Sequence, residues 1–289
     1  MFKGDILEQG NILDIFSNSQ HPYTKGLLAC RPPLDKRLHI LPTVKDFTNS
    51  EQNNPAILSE KNTLTKEERK DSHKKLYAAE PILKVENLKT YFPIDKGIFG
   101  KPTDYVKAVD DISFDIYPGE TLGIVGESGS GKTTLGRTIL RLIEPTSGNI
   151  IYKGKDILKL PNEEMRHYRK KLQIIFQDPY SSLNSHLTIG ESIVEPMRVH
   201  NIFKNEQERK ARAIELLERV SMNSSQFNRY PHEFSGGQRQ RVCIARALAL
   251  NPEFIVCDEC ISSLDVSVQA QVINLLSELK KDVGFTYLF

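Results

Sequence analysis

Apolar positions along residues 82–92 and 106–116 alternate with polar ones often enough to predict two strands. A Gly- and Pro-containing loop at 93–103 separates them. Residues 121–125, Thr-Leu-Gly-Ile-Val, form an apolar run that reads as another strand, and the pattern at 134–143 is helical. Short strands are predicted at 148–152 and 171–177. Helices are predicted at 192–198 and at 206–220, where Ala211, Ile214, Leu217 and Val220 share a face. Residues 238–250 predict a helix ended by Asn251-Pro252. A buried strand at 254–257, a helix at 266–282 and the beginning of a strand at 284–289 complete the series. Strands alternating with helices predict an α/β core around a largely parallel sheet.

The first eighty residues have a different texture. Residues 1–50 read as loop-rich, with Arg31-Pro-Pro33 and Leu41-Pro42 breaking any regular pattern. Residues 51–76 are polar and bury little, so they read as a linker or a solvated helix. Glu67, Glu68 and Asp71 interleave with the basic residues there, which argues against a nucleic-acid arm.

Composition narrows the picture. A chain of 289 residues holds one large domain or two small ones. With 26% charged and 39% hydrophobic residues it is ordinary for a soluble globular protein. A net charge of +2 supplies no strong field for nucleic acid or an anionic membrane. No apolar stretch reaches the roughly 18 residues that a spanning helix needs. The first residues carry acids where a leader would be basic and then apolar, so the expected location is cytoplasmic. Cys257 and Cys260 are formally C-x-x-C, but with no second pair nearby they read as small buried hydrophobes.

Candidate chemistry starts at Gly126-Glu127-Ser128-Gly129-Ser130-Gly131-Lys132-Thr133. This is the G-x-x-x-x-G-K-[ST] spacing of a P-loop, placed between a predicted strand and a predicted helix. The glycines let backbone N–H groups converge on a phosphate, and the helix N-terminus adds a favourable dipole. Lys132 brings a positive charge to the β and γ phosphates, and the Thr133 hydroxyl can ligate Mg²⁺. At the end of the 254–257 strand, Asp258 suits a metal ion and Glu259 a water poised for attack. Gln177 ends another apolar strand, where its amide can coordinate Mg²⁺ or orient water. Ser235-Gly236-Gly237-Gln238 opens a predicted helix, and two adjacent glycines exceed what a simple cap needs.

P-loop, Gln177, Ser235–Gln238, Asp258-Glu259 and Ser263-Leu-Asp265 stand in an order that resembles the ABC-transporter ATPases, across about residues 82–289. The resemblance implies a P-loop NTPase fold with a mostly parallel central sheet, an antiparallel β subdomain and a helical subdomain. It implies ATP and Mg²⁺ as cofactors and a head-to-tail dimer with a second ABC ATPase domain. Gly126, Glu127, Ser128, Gly129, Ser130, Gly131, Lys132, Thr133 and Thr134 would then hold the nucleotide. Thr133, Gln177 and Asp258 would face the metal, and Glu259 and Gln177 would serve catalysis. Ser235, Gly236, Gly237 and Gln238 would face the partner's ATP, with Asp265 in the loop that crosses to that site. Phe92 would stack on adenine, with Tyr91 as its rival.

A narrower resemblance is to the ATPase subunits of oligopeptide/dipeptide importers. It rests on the segments that begin at Leu88, Ala108, Gln177 and Tyr230, and on His21-Pro-Tyr-Thr-Lys-Gly-Leu-Leu28. In that family the last segment follows the ATPase core, whereas here it precedes one. The implied organisation is a tail of a preceding ATPase domain at 1–50, a polar linker at 51–80 and an ATPase domain at 81–289. The implied partners are transmembrane permease subunits and, indirectly, an extracytoplasmic peptide-binding protein, with no nucleic acid. The implied location is the inner face of the cell membrane. All seven histidines lie at or before His232, so the γ-phosphate histidine expected after Phe289 has no counterpart here. The same shortfall is expected to leave the strand at 285–289 on a sheet edge and to impair hydrolysis. A soluble ABC ATPase acting on ribosomes or DNA is the alternative, which the importer-like segments disfavour.

Overall fold

The computed structural model describes residues 1–2, 4–33, 35–48, 62–94 and 104–289. Most of the expected loop at 93–103 and residues 51–61 of the expected linker lie outside them. The chain divides into two compact units: Met1–Lys74 with Ile261–Leu279, and Lys75–Cys260 with Lys280–Phe289.

The first unit is helical where loops were expected. It contains α1 (Ile12–Ser17), α2 (Pro22–Ala29) and α3 (Lys45–Thr48). Side-chain caps explain the two longer ones. Asn11 accepts from Asp14 N at 3.0 Å, and His21 Nδ1 accepts from Tyr23 N at 3.1 Å, with Pro22 at the first helical position. Gly26 is needed for packing, since a Cβ there would lie 2.9 Å from the Val44 Cα. The polar stretch forms α4 (Lys66–Leu76), which buries no residue and so is the solvated helix its composition predicts.

The larger unit holds two sheets. β1 (Leu83–Pro93) pairs antiparallel with β2 (Tyr105–Ile116). The short β3 (Thr121–Leu122) leads to α5 (Lys132–Ile139). Next come β4 (Ser147–Tyr152), β5 (Lys155–Asp156), α6 (Asn162–Tyr168) and β6 (Leu172–Ile175). The helical portion is α7 (Pro179–Ser182), α8 (Ile189–Val199), α9 (Glu206–Arg219) and α10 (Gly236–Leu248). On α9 and its C-cap the buried face is Ala213, Leu216, Leu217 and Val220, so the expected stripe is right at Leu217 and Val220 and shifted at its start. β7 (Phe254–Cys257) and β8 (Thr286–Leu288) follow, and between them in the chain comes α11 (Val266–Val283), most of which belongs to the first unit. The antiparallel sheet runs β2-β1-β4-β5 and the parallel sheet β3-β8-β7-β6.

All four residues of β7 are buried, as a strand covered on both faces requires. Leu135 and Ile139 of α5 join Leu83, Val85 and Leu88 of β1 and Phe254, Val256 and Leu288 in one apolar cluster. Each such side chain stabilises the fold by roughly 1.5–3 kcal/mol relative to leaving it in water. The cluster therefore fixes α5 against both sheets.

Three expectations change. The strand at 285–289 is not an edge: Tyr287 pairs with Thr121 on one side and Ile255 on the other. The strand before the P-loop is shorter than 121–125, although Ile124 N still donates to the Phe289 carbonyl at 2.6 Å. The helix after it begins at Lys132 and stops at Ile139, and Arg141 then turns the chain at φ 51°.

Candidate nucleotide-binding site

The site is built where β3 and β7 end and α5 begins. Gly129 and Gly131 have φ of 80° and 94°, a region that disfavours side chains. At Gly131 a Cβ would also lie 2.0 Å from the Ala108 carbonyl oxygen on β2. At Gly126 it would lie 2.7 Å from Ser130 Oγ. Gly129 and Gly131 are thus required by the backbone of the turn, whereas a side chain at Gly126 would displace only the Ser130 hydroxyl. Residues 126–130 are exposed, with Glu127 closing a turn to Ser130 N at 3.2 Å. Gly131 is the N-cap of α5 and no side chain caps it, so the first-turn N–H groups are left for a ligand.

Lys132 Nζ donates to the carbonyls of Gly126 at 3.0 Å and Glu127 at 2.8 Å. It also lies 3.7 Å from Glu259. The ammonium therefore sits inside the curl of the loop, where phosphate oxygens would meet it. Thr133 Oγ1 donates to Asp258 Oδ1 at 2.6 Å. That contact depends on α5 lying close to β7: a Cβ on Gly136 would be 2.9 Å from Val256. The Thr134 carbonyl accepts from Thr138 Oγ1 at 2.8 Å, an ordinary helix back-bond.

Asp258 is 6% exposed, and its Oδ2 is buried without a hydrogen-bond donor. A buried carboxylate oxygen with no donor, beside a threonine hydroxyl, is an oxygen donor set that suits Mg²⁺. Glu259 follows with φ 46°, a left-handed conformation that is costly for a residue with a Cβ. Gln177 Nε2 donates to Glu259 Oε2 at 2.9 Å. The structure therefore brings Lys132, Thr133, Gln177, Asp258 and Glu259 into one linked group. Cys257 and Cys260 flank the two acids and are buried free thiols. Burial, and the neighbouring Cys260, push the Cys257 thiol well above its ordinary range.

Phe92 is exposed near the end of β1 and pairs with Val106, two residues from the Ala108 that packs on Gly131. That places it at the rim of the loop. The Tyr91 hydroxyl instead donates to Asp110, which pushes its pKa up to about 12, and Lys107 lies 5.4 Å from its ring. Tyr91 is thus occupied where Phe92 is open.

Ser235 caps α10, and Gln238 reciprocates. Ser235 Oγ accepts from Gln238 N at 3.4 Å, and Gln238 Oε1 accepts from Ser235 N at 3.1 Å. Gly236 and Gly237 form the first turn between them. Asp265 precedes α11 in the other compact unit, its carbonyl accepting from Val268 N at 2.8 Å and Gln269 N at 2.9 Å. One contributor escaped the sequence reading: Arg137, one helical turn after Thr133, lies 3.5 Å from Asp258 Oδ2.

A parallel sheet with this loop at its strand ends, against a lysine, a threonine and two acids, defines a P-loop nucleotide-binding domain. The family model described as ABC transporter matches residues 109–262. The chain belongs to the ABC transporter family and carries its ATPase domain, the ATP-binding cassette. A second model, the oligopeptide/dipeptide transporter C-terminal region, matches residues 7–56. The glutathione import ATP-binding protein of Pectobacterium atrosepticum is 47% identical over 289 residues, all of this chain and 45% of its own length. Its namesake in Escherichia coli is 46% identical with the same coverage. The chain thus spans less than half the length of these curated relatives. A solved ATP-binding cassette, dimeric in a post-hydrolysis state with ADP and phosphate, is similar at a TM-score of 0.63. It is 30% identical, over 71% of this chain and 86% of that one. The CbiO1 subunit of a Clostridium perfringens ABC transporter complex is similar at a TM-score of 0.61 and 28% identity, over 73% and 78%.

Proposed function

We propose that this chain binds and hydrolyses ATP to energise an importer of short peptides at the inner face of the cell membrane. The observation that carries the ATPase reading is the linked group at the loop: Lys132 against Glu259, Glu259 against Gln177, and Thr133 against Asp258. Lys132 and the open N-terminus of α5 grip the phosphates of the substrate. Thr133 and Asp258 would hold Mg²⁺, which would supply charge neutralisation to the phosphates. Glu259 accepts a proton from the attacking water, and Gln177 orients both. Phosphate entering the loop draws Lys132 away from Glu259 and frees that carboxylate for its role.

Three findings support the peptide and importer parts: the oligopeptide/dipeptide match at residues 7–56, the cassette match after it, and relatives named for glutathione import. They favour a tandem arrangement: a tail at 1–50 ending one cassette, a linker at 51–80 and a second cassette at 81–289. Ser235, Gly236, Gly237 and Gln238 then face the nucleotide of a paired cassette, with Asp265 at the crossing loop and Phe92 against adenine. Among the described residues no helix is long and apolar enough to cross a membrane, which leaves the passage itself to permease subunits. An extracytoplasmic peptide-binding protein would deliver the substrate to them.

The test is Glu259→Gln in the protein assembled with its paired cassette. Turnover should fall about 10²–10⁴-fold, the usual range for losing a general base. Nucleotide affinity should be retained. Unchanged turnover would remove Glu259 from the chemistry. Co-purification with ribosomes, and with no permease, would overturn the importer reading.

A further inference from the structure

Arg137 occupies an unusual position. Its Nη2 lies 3.5 Å from Asp258 Oδ2, the oxygen to which nothing donates a hydrogen bond. Its Nε is buried and makes no hydrogen bond either. The guanidinium lies 5.9 Å from the ring centroid of Phe176, the residue directly before Gln177. The contacts close a ring. Thr133 holds Asp258, Asp258 faces Arg137, Arg137 faces the ring of Phe176, Gln177 holds Glu259, and Glu259 faces Lys132, the neighbour of Thr133.

We propose that Arg137 is the resident counter-cation of Asp258, exchanged for Mg²⁺ when nucleotide loads, and that its departure from Phe176 relays the exchange to Gln177. The proposal rests on the reading of Asp258 as a metal-facing carboxylate. Oδ1 keeps the Thr133 hydroxyl proton, because that hydroxyl can ligate a cation through its lone pair while donating. Oδ2 is therefore the oxygen two cations compete for. An arginine with an unsatisfied Nε, held by one ion pair and one ring, is the part of the ring most easily released. The guanidinium matters, since a lysine ammonium carries the charge but is too compact to face Asp258 and Phe176 at once. Arg137 is a positioning residue in this account and touches no reacting atom.

The chain contains no tryptophan, so Phe176→Trp supplies a single tryptophan at the ring, which can be excited apart from the tyrosines. The variant would be loaded with a non-hydrolysable ATP analogue in EDTA and then titrated with Mg²⁺. Emission should shift as Mg²⁺ binds. Adding Arg137→Met should abolish the shift and lower the Mg²⁺ midpoint by about threefold or more, a size in line with one weak competing ion pair. Affinity for the analogue without Mg²⁺ should stay within about twofold, since the loop is untouched. Arg137→Lys should keep the parental midpoint but lose the emission shift, and it serves as the folded control if the methionine variant melts early. An unchanged midpoint in Arg137→Met, or a shift that survives in it, would overturn the proposal while leaving the metal site intact. If the parent itself shows no Mg²⁺ dependence, the metal reading of Asp258 falls and takes the role of Arg137 with it.

Discussion

Two glycine-rich helix starts in this molecule solve the same local problem in opposite ways. At α5 the N-cap is Gly131, no side chain caps the helix, and the loop before it is exposed. At α10 the N-cap is Ser235, and a reciprocal capping box with Gln238 satisfies the end from within. The first helix start is left open and held by packing, with Gly131 against Ala108 and Gly136 against Val256. The second is complete as a helix before any ligand arrives. The difference teaches where binding energy must come from. The P-loop has donors waiting, whereas Ser235 must give up or share its cap to engage a phosphate.

Substitutions at the two starts should therefore differ in kind. Gly131→Ala should be the most damaging to the fold, because strain at positive φ and a backbone clash act together. Unfolding by denaturant should show a loss of about 2–5 kcal/mol. A loss below about 1 kcal/mol would mean the loop relaxes freely. Lys132→Ala should leave folding intact and weaken ATP binding roughly 10–100-fold, the worth of charged hydrogen bonds. Calorimetry giving unchanged affinity would overturn the P-loop assignment. Ser235→Ala should reverse that pattern, costing about 1 kcal/mol of stability with no change in nucleotide affinity of the unpaired chain.

The smallest effect concerns the thiols beneath each region. Burial pushes the Cys243 thiol on α10 up to about 11 and the Cys257 thiol above its ordinary range. The thiolate form of each is therefore disfavoured, and the reactivity of Cys243 rises only as pH climbs toward about 11. Alkylation followed by mass spectrometry should find both slow in the folded protein. Nucleotide with Mg²⁺ should slow Cys257 further and leave Cys243 unchanged. Equal protection of both would mean the two regions open together.

Much of this was legible in the residues because period and punctuation are local. The runs at 82–92, 106–116 and 254–257 became β1, β2 and β7, and Asn251-Pro252 ended α10. The loop, the two acids and Gln177 were legible as types at fixed spacings. What escaped was tertiary. The helix α2 is short and capped by a histidine, a weak signal beside its proline. The interior place of β8 depends on pairing with Thr121 and Ile255, which no local pattern encodes. Arg137 looked like any exposed helical arginine, and only the approach of Gly136 to Val256 turns it toward Asp258.

The interior place of β8 also sets a clock. Gly119, just before β3, donates to Thr286 across 167 positions, and β3 finds its parallel neighbour only there. Contacts of such span form late, because a long segment must first be confined. During synthesis the strand that leads into the phosphate loop waits without its parallel partner while the whole helical portion emerges. The loop is therefore anchored only after the helical portion has been made, and a chain stopped before residue 286 would carry the loop with its anchor missing.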